Sequence, residues 1–449
     1  MLEELYKDLL SKFMEKTPRS RELYEKAQEK LPMGVTYHIR FFEPYPFYVA
    51  RAEGSKIVDI DGNTYTDYWV GHGALILGHA PRTVIEHVKE QLGRGSHWGF
   101  EHEYAYRLAD KITSHLPGAE MIRFTNSGTE ANMYAIRLIR AYTGRKKIVK
   151  FTGGWHGGYD QLHLGFKPDE YLGSGGLPPE AVSNTLLAKF NDIEDVENIF
   201  RSYGREIAGV IIEPVQGAAG IIPAERDFLK RLRELCDYYG SLLVYDEVIT
   251  GYRLGLGGAQ EYYGVLADVV VLGKIIGGGF PIGAFTSRRE IMERLDYRKK
   301  WTLEEKGFHG GTFAGNPISM VAGLATLEEL EKPSFYESMR STTDLLVREL
   351  EKTGRDYKLD VSITSAPSMV GIHFTHREPK NIEDVVAMKY EPMLNRVFQK
   401  YSLVKGIVFL TEDITHLLLS SRHSREDIIY FVEVFREFLE LVEKHVEGG

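Results

Sequence analysis

A single cysteine, Cys236, stands in 449 residues. One thiol builds neither an intrachain disulfide nor a cysteine-based metal site. Its setting, LRELCDYYG, reads as a helix interior in which the thiol packs as a small apolar side chain. Asparagine and glutamine are also scarce, at nine and six. Few amides, one thiol and many charges resemble the composition of heat-adapted proteins, so a thermostable fold is expected. Positive charge is not in excess: the net charge is -9 and the sequence pI about 6.0. A nucleic-acid binder carries the opposite sign, clustered on one face. No apolar run approaches the roughly 18 residues that cross a bilayer. The opening MLEELYKDLL alternates charge and bulk as a helix does and is not a signal peptide. These absences predict a cytoplasmic protein with neither nucleic acid nor membrane as partner.

The rest of the composition, 43% hydrophobic and 27% charged, is that of a globular protein. The length exceeds one hydrophobic core, which predicts two lobes. Residues 1 to about 31 read as helical with a break at Pro18. Residues 46–70 show a period-two pattern with Asp61-Gly62 as a hairpin turn. Beyond residue 80, helical segments alternate with short Val-, Ile- and Leu-rich runs: MIRFTNS, KKIVKF, IAGVIIEP, SLLVYDE and ADVVVLGK. Such runs are strands buried on both faces of a mostly parallel α/β sheet. After residue 335 a charged helix over about 335–353 leads to GIHFTH, a helix over about 383–400, GIVFL, HLLLSS and a last helix from Arg425. The expected division is 1–75 as an N-terminal segment joining the small lobe, 76–335 as the large domain and 336–449 as a small α+β domain. The irregular stretch 153–180, rich in Gly, Pro, Tyr and His, has the length of a functional loop.

Four motifs follow expected strands, where open α/β sheets bind ligands. Asn126-Ser127-Gly128-Thr129-Glu130 opens a helix, and its free amides suit a phosphate; Ser127 and Glu130 also have capping-box spacing, which needs no ligand. Phe151-Thr-Gly-Gly-Trp155-His156 offers a flat aromatic in a Gly-rich loop, suited to stacking or to an interface. Glu213 and Asp246 each end an apolar strand, where a carboxylate needs a partner: a cap, an ion pair or a ligand. Lys274 closes the strand VVLG before three glycines, and desolvation there makes its amine nucleophilic; the glycines follow the lysine, unlike a Walker loop. Together the four motifs ask for one ligand with a phosphate, a flat ring, a ring nitrogen and an aldehyde. Pyridoxal phosphate has all four.

At this point the sequence resembles a known family, the class III (fold type I) aminotransferases, most closely the glutamate-1-semialdehyde aminomutase branch. The matching stretches are GVTYHIRFF, DIDGNTYTDY, LILGHAP, RFTNSGTEANMYAIRLIRAYTGRKKIVKF, IIEPVQG, LLVYDEVITGYRL, LGKIIGGGFPIGAF, GGTFAGNPISM and SSRHSREDI. The resemblance implies a mostly parallel sheet flanked by helices with a smaller α+β lobe. It implies that Lys274 holds the cofactor aldehyde and shuttles the proton, and that Asp246 pairs with the ring nitrogen. Val248 and Trp155 would pack on the two ring faces, with His156 supporting the stacking loop. Ser127, Gly128 and Thr129 would hold the phosphate, Glu213 and Gln216 would sit near the ring hydroxyl, and Arg40 would bind a substrate carboxylate. Thr312 would reach the phosphate of the partner subunit, which implies a homodimer.

The sequence departs from the aminomutase pattern in several places. Trp155 replaces the usual Tyr, and GGYDQLHLGFKPDEYLGSGGLPPE, with Phe166 and Tyr171, replaces the gating loop. The tryptophan usual before LGH is absent from Val70-Gly71-His72-Gly73, and Thr415 aligns with an aminomutase glutamate. Leu410 stands where many amine transaminases carry a mobile arginine, which leaves Arg422 as the nearest alternative. Trp69 and His72, with Tyr37, Phe41, Phe42, Tyr68 and Trp155, form an aromatic load that fits a bulky donor or an ordinary core. These departures favour a transaminase passing an amino group from an amine or amino acid to a keto acid such as pyruvate or 2-oxoglutarate. The alternatives are the aminomutase itself and an amino-acid racemase. A metal-dependent hydrolase on Glu213 and Asp246, or a non-catalytic protein on the same fold, are rivals of other classes.

Overall fold

The computed structural model describes residues 2–167, 173–388, 393–409 and 413–447. Tyr171 and Leu410 lie outside the described residues. The chain divides into two compact units, 1–81 with 337–379 and 385–449, and 82–336 with 380–384. Residues 380–384 group with the larger unit because their bonds go there. Lys380 pairs with Glu225 at 2.7 Å, its carbonyl accepts from Asn191, and Thr152 donates to Glu383 at 2.5 Å.

The larger unit is built on a seven-stranded sheet. In chain order its strands are β1 (Met121–Thr125), β2 (Lys147–Phe151), β3 (Thr185–Ala188), β4 (Ile207–Ile212), β5 (Leu242–Asp246), β6 (Val269–Gly273) and β7 (Gly283–Ser287). Their spatial order is β1-β7-β6-β5-β4-β2-β3. The β5–β6, β5–β4, β2–β4 and β2–β3 pairs are parallel. β7 runs antiparallel to both neighbours, so every other strand ends on one edge. β4, β5 and β6 are buried throughout, as strands covered on both faces must be. Helix α1 (Gly128–Thr143) covers one face with Ala131, Ala135, Leu138 and Ile139, against Ile211, Val244 and Val271. It stops at Gly144, whose φ of 69° suits only a residue free of Cβ strain.

The smaller unit begins with helices Leu2–Lys16 and Pro18–Ala27. Strands Val49–Glu53, Lys56–Asp59 and Thr64–Asp67 form an antiparallel meander, and Ile407–Val408 adds in parallel beside the third. N-terminal and C-terminal segments therefore share one sheet. The Asp61-Gly62 turn is held by Asp59, whose Oδ1 accepts from the Asp61 and Asn63 amides at 3.0 and 2.8 Å. A second sheet joins Ser362–Ala366, Met369–His373 and Thr415–Leu418, and a long helix, Arg425–Glu447, ends the described chain. Where one helix was expected over 383–400, the structure has two, Ile382–Ala387 and Met393–Val404. The Asn381 side chain accepts from the Asp384 amide at 2.8 Å and so caps the start of the first; residues 389–392, between the two, lie outside the described residues.

Candidate active site

The strand order places the four sequence motifs along one edge of the sheet. Asn126–Thr129 leaves β1, Thr152–His156 leaves β2, Glu213 leaves β4, Asp246 ends β5 and Lys274 leaves β6. Since β6, β5, β4 and β2 are successive neighbours, Lys274, Asp246, Glu213 and the Trp155 loop follow one another across that edge. β7 closes the gap to β1: a Cβ on Gly283 would lie 2.1 Å from the Ser127 carbonyl oxygen.

Asp246 is 3% exposed and its oxygens are engaged. Oδ2 accepts from Asn132 Nδ2 at 2.8 Å and meets His156 Nδ1 at 2.8 Å, and Oδ1 accepts from the Val248 amide at 3.1 Å. His156, expected to support the stacking loop, thus buttresses the carboxylate directly. Burial lowers the pKa of its ring, with Asp246 opposing. Glu213 accepts from the Trp155 amide at 2.7 Å and the Gly217 amide at 3.3 Å. Burial and the nearby Asp246 push its carboxyl up to about 8, against those two amides and Lys274. Both acids therefore have N–H donors already. Among the described residues no three His, Cys, Asp or Glu side chains converge as metal ligands would.

Lys274 has φ of 47°, the left-handed region, which costs a non-glycine residue on the order of 1–3 kcal/mol and clusters at active sites. Desolvation lowers the pKa of its ammonium; Asp246 and Glu213 oppose this, and buried Arg253 adds to it. The arrangement makes it easier for this amine to release its proton and act as a nucleophile beside two acids.

At the start of α1, Ser127 Oγ accepts from the Glu130 amide at 3.2 Å and Glu130 Oε2 accepts from the Asn126 amide at 2.8 Å. The capping interaction is real and leaves the Ser127 hydroxyl proton to donate. The Gly128 and Thr129 amides lie in the first turn, where no intrahelical acceptor exists. A Cβ on Gly128 would meet Val248 Cγ2 at 2.8 Å, and one on Gly273 would meet Val248 Cγ1 at 3.3 Å. Val248 is thus wedged between the helix start and the strand end that carries Lys274. Thr312 is exposed, between exposed Phe308 and Phe313.

Three buried polar atoms at this edge have no hydrogen-bond partner among the described residues: Asn132 Oδ1, His156 Nε2 and Gln216 Oε1. Gln216 spends its amide on the Thr152 carbonyl at 2.8 Å. Orphaned polar groups beside a reactive lysine, an acid and a helix start fit a phosphorylated pyridine aldehyde.

The remaining expected residues belong to the smaller unit. His72 packs between Tyr37, at 5.9 Å, and Trp69, at 5.0 Å, in a backbone held at positive φ. Exposed Arg40 donates to Thr36 Oγ1 at 2.9 Å. The stem of exposed Arg422 lies against Gly78. Phe42 and Tyr68 are core, 2% and 0% exposed, so they serve packing. Asn132, Lys150 and Glu247 escaped the sequence reading. Asn132 stands inside a helix, where asparagine is a weak former, and Lys150 and Glu247 lie in or beside apolar strands; those mismatches were the available signals.

The model of the class-III aminotransferases matches residues 40–412. Glutamate-1-semialdehyde 2,1-aminomutase of Methanopyrus kandleri is 42% identical over 94% of this chain and 97% of its own. The structure of an omega-transaminase from Sphaerobacter thermophilus superposes with a TM-score of 0.87 at 34% identity, covering 94% and 97% of the two chains. That of a variant glutamate-1-semialdehyde-aminomutase from Pseudomonas aeruginosa PAO1 in complex with PMP gives 0.89 at 26%, covering 98% of each.

Proposed function

This chain belongs to the class-III aminotransferase family, and from that premise we propose that it is a glutamate-1-semialdehyde 2,1-aminomutase, moving an amino group between neighbouring carbons of one substrate. The observation that carries this is the 42% identity to the Methanopyrus enzyme across 94% of the chain. Pyridoxal phosphate is the cofactor. When bound it supplies an aldehyde that takes up amines and a ring that accepts the electron pair left by a departing proton.

The chain's residues divide the remaining work. Lys274 would hold the cofactor's aldehyde and, as a free amine, would carry the proton to and from the substrate carbon. Asp246, fixed by Asn132, His156 and the Val248 amide, would pair with the ring nitrogen. Val248 and Trp155 would pack on the two ring faces, and Glu213 and Gln216 would sit near the ring hydroxyl. The Gly128 and Thr129 amides and the Ser127 hydroxyl would hold the phosphate, and in a homodimer Thr312 would reach the phosphate of the partner subunit. Arg40 binds the substrate carboxylate, and Trp69, His72 and Arg422 contribute to substrate recognition.

A second reading, an intermolecular transaminase using pyruvate or 2-oxoglutarate as acceptor, is favoured by specific observations. Trp155 and the 157–180 loop depart from the aminomutase pattern, and identity to the Sphaerobacter transaminase exceeds that to the Pseudomonas aminomutase. Incubation of the loaded enzyme with glutamate-1-semialdehyde alone separates them. Isomerised product without an added acceptor supports the aminomutase. Turnover only when amine and keto acid are both supplied replaces it with the transaminase, and racemised amino acid without acceptor replaces both. The proposal extends to a thermostable cytoplasmic homodimer, in which exposed Phe308 and Phe313 bring Thr312 to the interface.

A further inference from the structure

Lys150 lies in β2 and is 0% exposed. Its Nζ donates to three backbone carbonyls, Gly154 at 3.1 Å, Leu162 at 2.9 Å and Leu164 at 2.6 Å. Only the charged ammonium has three N–H groups to give; a neutral amine would turn a lone pair toward one carbonyl. Burial lowers the pKa of that ammonium to about 7, with Glu213 opposing, while the three carbonyls favour the charged form; this one side chain ties the near end of the loop after β2 to its far end. The far end supplies His163 and Phe166, whose rings pack edge-on against Trp155 at 5.5 and 5.3 Å.

The Gly154 carbonyl and the Trp155 amide belong to the same peptide bond. Lys150 takes its oxygen and Glu213, through Oε1 at 2.7 Å, takes its N–H. A peptide unit carries a dipole of about 3.5 D. Here its negative end faces the Lys150 Nζ and its positive end an oxygen of the Glu213 carboxyl, in surroundings that exclude water and so strengthen both hydrogen bonds. Rotating that peptide would break both bonds at once and swing the Trp155 ring.

We propose that Lys150 and Glu213 are positioning residues that clamp the Gly154–Trp155 peptide by hydrogen bonds at both its ends and so set the plane of the Trp155 ring against the cofactor. This rests on the reading that Trp155 packs on the cofactor ring, and it gives Glu213 a role separate from any contact with the ring hydroxyl. Lys150 touches neither substrate nor cofactor and acts through the loop alone. It holds whether the amino group moves within one molecule or between two.

The chain has four tryptophans, so fluorotryptophan labelling gives a fluorine NMR spectrum simple enough for W155F to assign the Trp155 signal. In the parent enzyme, adding pyridoxal phosphate shifts that signal. In K150M with the cofactor bound, the Trp155 signal moves or broadens while those of Trp69, Trp98 and Trp301 stay in place, and cofactor is lost on dilution about tenfold faster. General destabilisation would disturb all four signals together. A K150M spectrum that overlays the parent's, with cofactor loss within twofold, overturns the proposal. Where K150M is recovered unfolded, K150Q, whose two N–H groups leave at least one of the three carbonyls without its donor, undergoes the same measurement with the same two outcomes. If cofactor leaves the parent's Trp155 signal unmoved, the stacking reading beneath the proposal is what fails.

Discussion

Consider G128A, a methyl group added where the phosphate-binding turn becomes α1. The new Cβ would stand 2.8 Å from Val248 Cγ2 and 3.0 Å from Val248 Cγ1, against a comfortable carbon–carbon separation of about 3.5–4.0 Å. The first turn of the helix or the valine must move by several tenths of an ångström. Overpacking of this kind costs about 1–3 kcal/mol. The residue stands in helical conformation, where alanine is favoured over glycine by roughly 0.5–1 kcal/mol, which offsets part of that cost, so the cofactor-free chain loses at most about 2.5 kcal/mol of stability. A penalty falls on binding as well, because displacement carries the Gly128 and Thr129 amides off the phosphate and tilts the floor that Val248 provides. Pyridoxal phosphate affinity should fall by about 5- to 150-fold, read by titrating the cofactor-free chain. G128A/V248A removes the colliding methyls and should regain part of that loss relative to G128A. Affinity within twofold of the parent in G128A, or no recovery in the double variant, would refute the assignment of Gly128 and Val248 to one cofactor cradle.

Other consequences are equally specific. Burial raises the Glu247 carboxyl from its ordinary value to about 7; its Oε2 accepts from Ala259 and Thr250, while Oε1 has no partner, a place for a proton. A raised carboxyl stabilises the fold fully below its unfolded value, and that stability is lost as pH rises through about 7. The parent should therefore lose about 3 kcal/mol more than E247Q between pH 4.5 and 8 in urea unfolding; parallel curves would remove Glu247 from the account. N132A deprives Asp246 of a buried donor and should weaken cofactor binding by on the order of tenfold, with unchanged affinity as the contrary result. The scarcity of amides and cysteine sets an unfolding midpoint above about 75 °C by calorimetry, and a midpoint in the usual mesophilic range would contradict it. Sedimentation should give twice the 51.1 kDa chain mass; a monomer would remove Thr312 from the phosphate site.

What could be read from sequence was set by how strongly local pattern dictates structure. β2, β4, β5 and β6 announce themselves because strands buried on both faces must be continuous apolar runs, and the candidate site residues sit at the end of each strand or within five residues beyond it. β3, TLLA, and β7, GAFTS, do not: they are short, and Gly, Ser and Thr are acceptable there because the neighbouring strands, not intrinsic propensity, hold them in place. β7 also runs against the rest, which no periodicity reveals. Lys150 looks like one more charge in KKIVKF until folding brings three carbonyls to it. His156 could be placed near the cofactor from its motif, but its bond to Asp246 joins residues 90 apart, and no spacing argument reaches that far. The aromatic residues near positions 37–72 were ambiguous for the opposite reason: Phe42 and Tyr68 proved to be core, while Tyr37, Trp69 and His72 group around a strained turn.

The central claim is that one lysine, at the end of β6 and beside Asp246, carries the cofactor. Borohydride reduction of the purified enzyme followed by peptide mapping tests it without reference to any substrate. The pyridoxyl mass should appear on the peptide containing Lys274 and on no other. Recovery of that label on a different lysine, or an enzyme from which no label is recovered after incubation with pyridoxal phosphate, would contradict it.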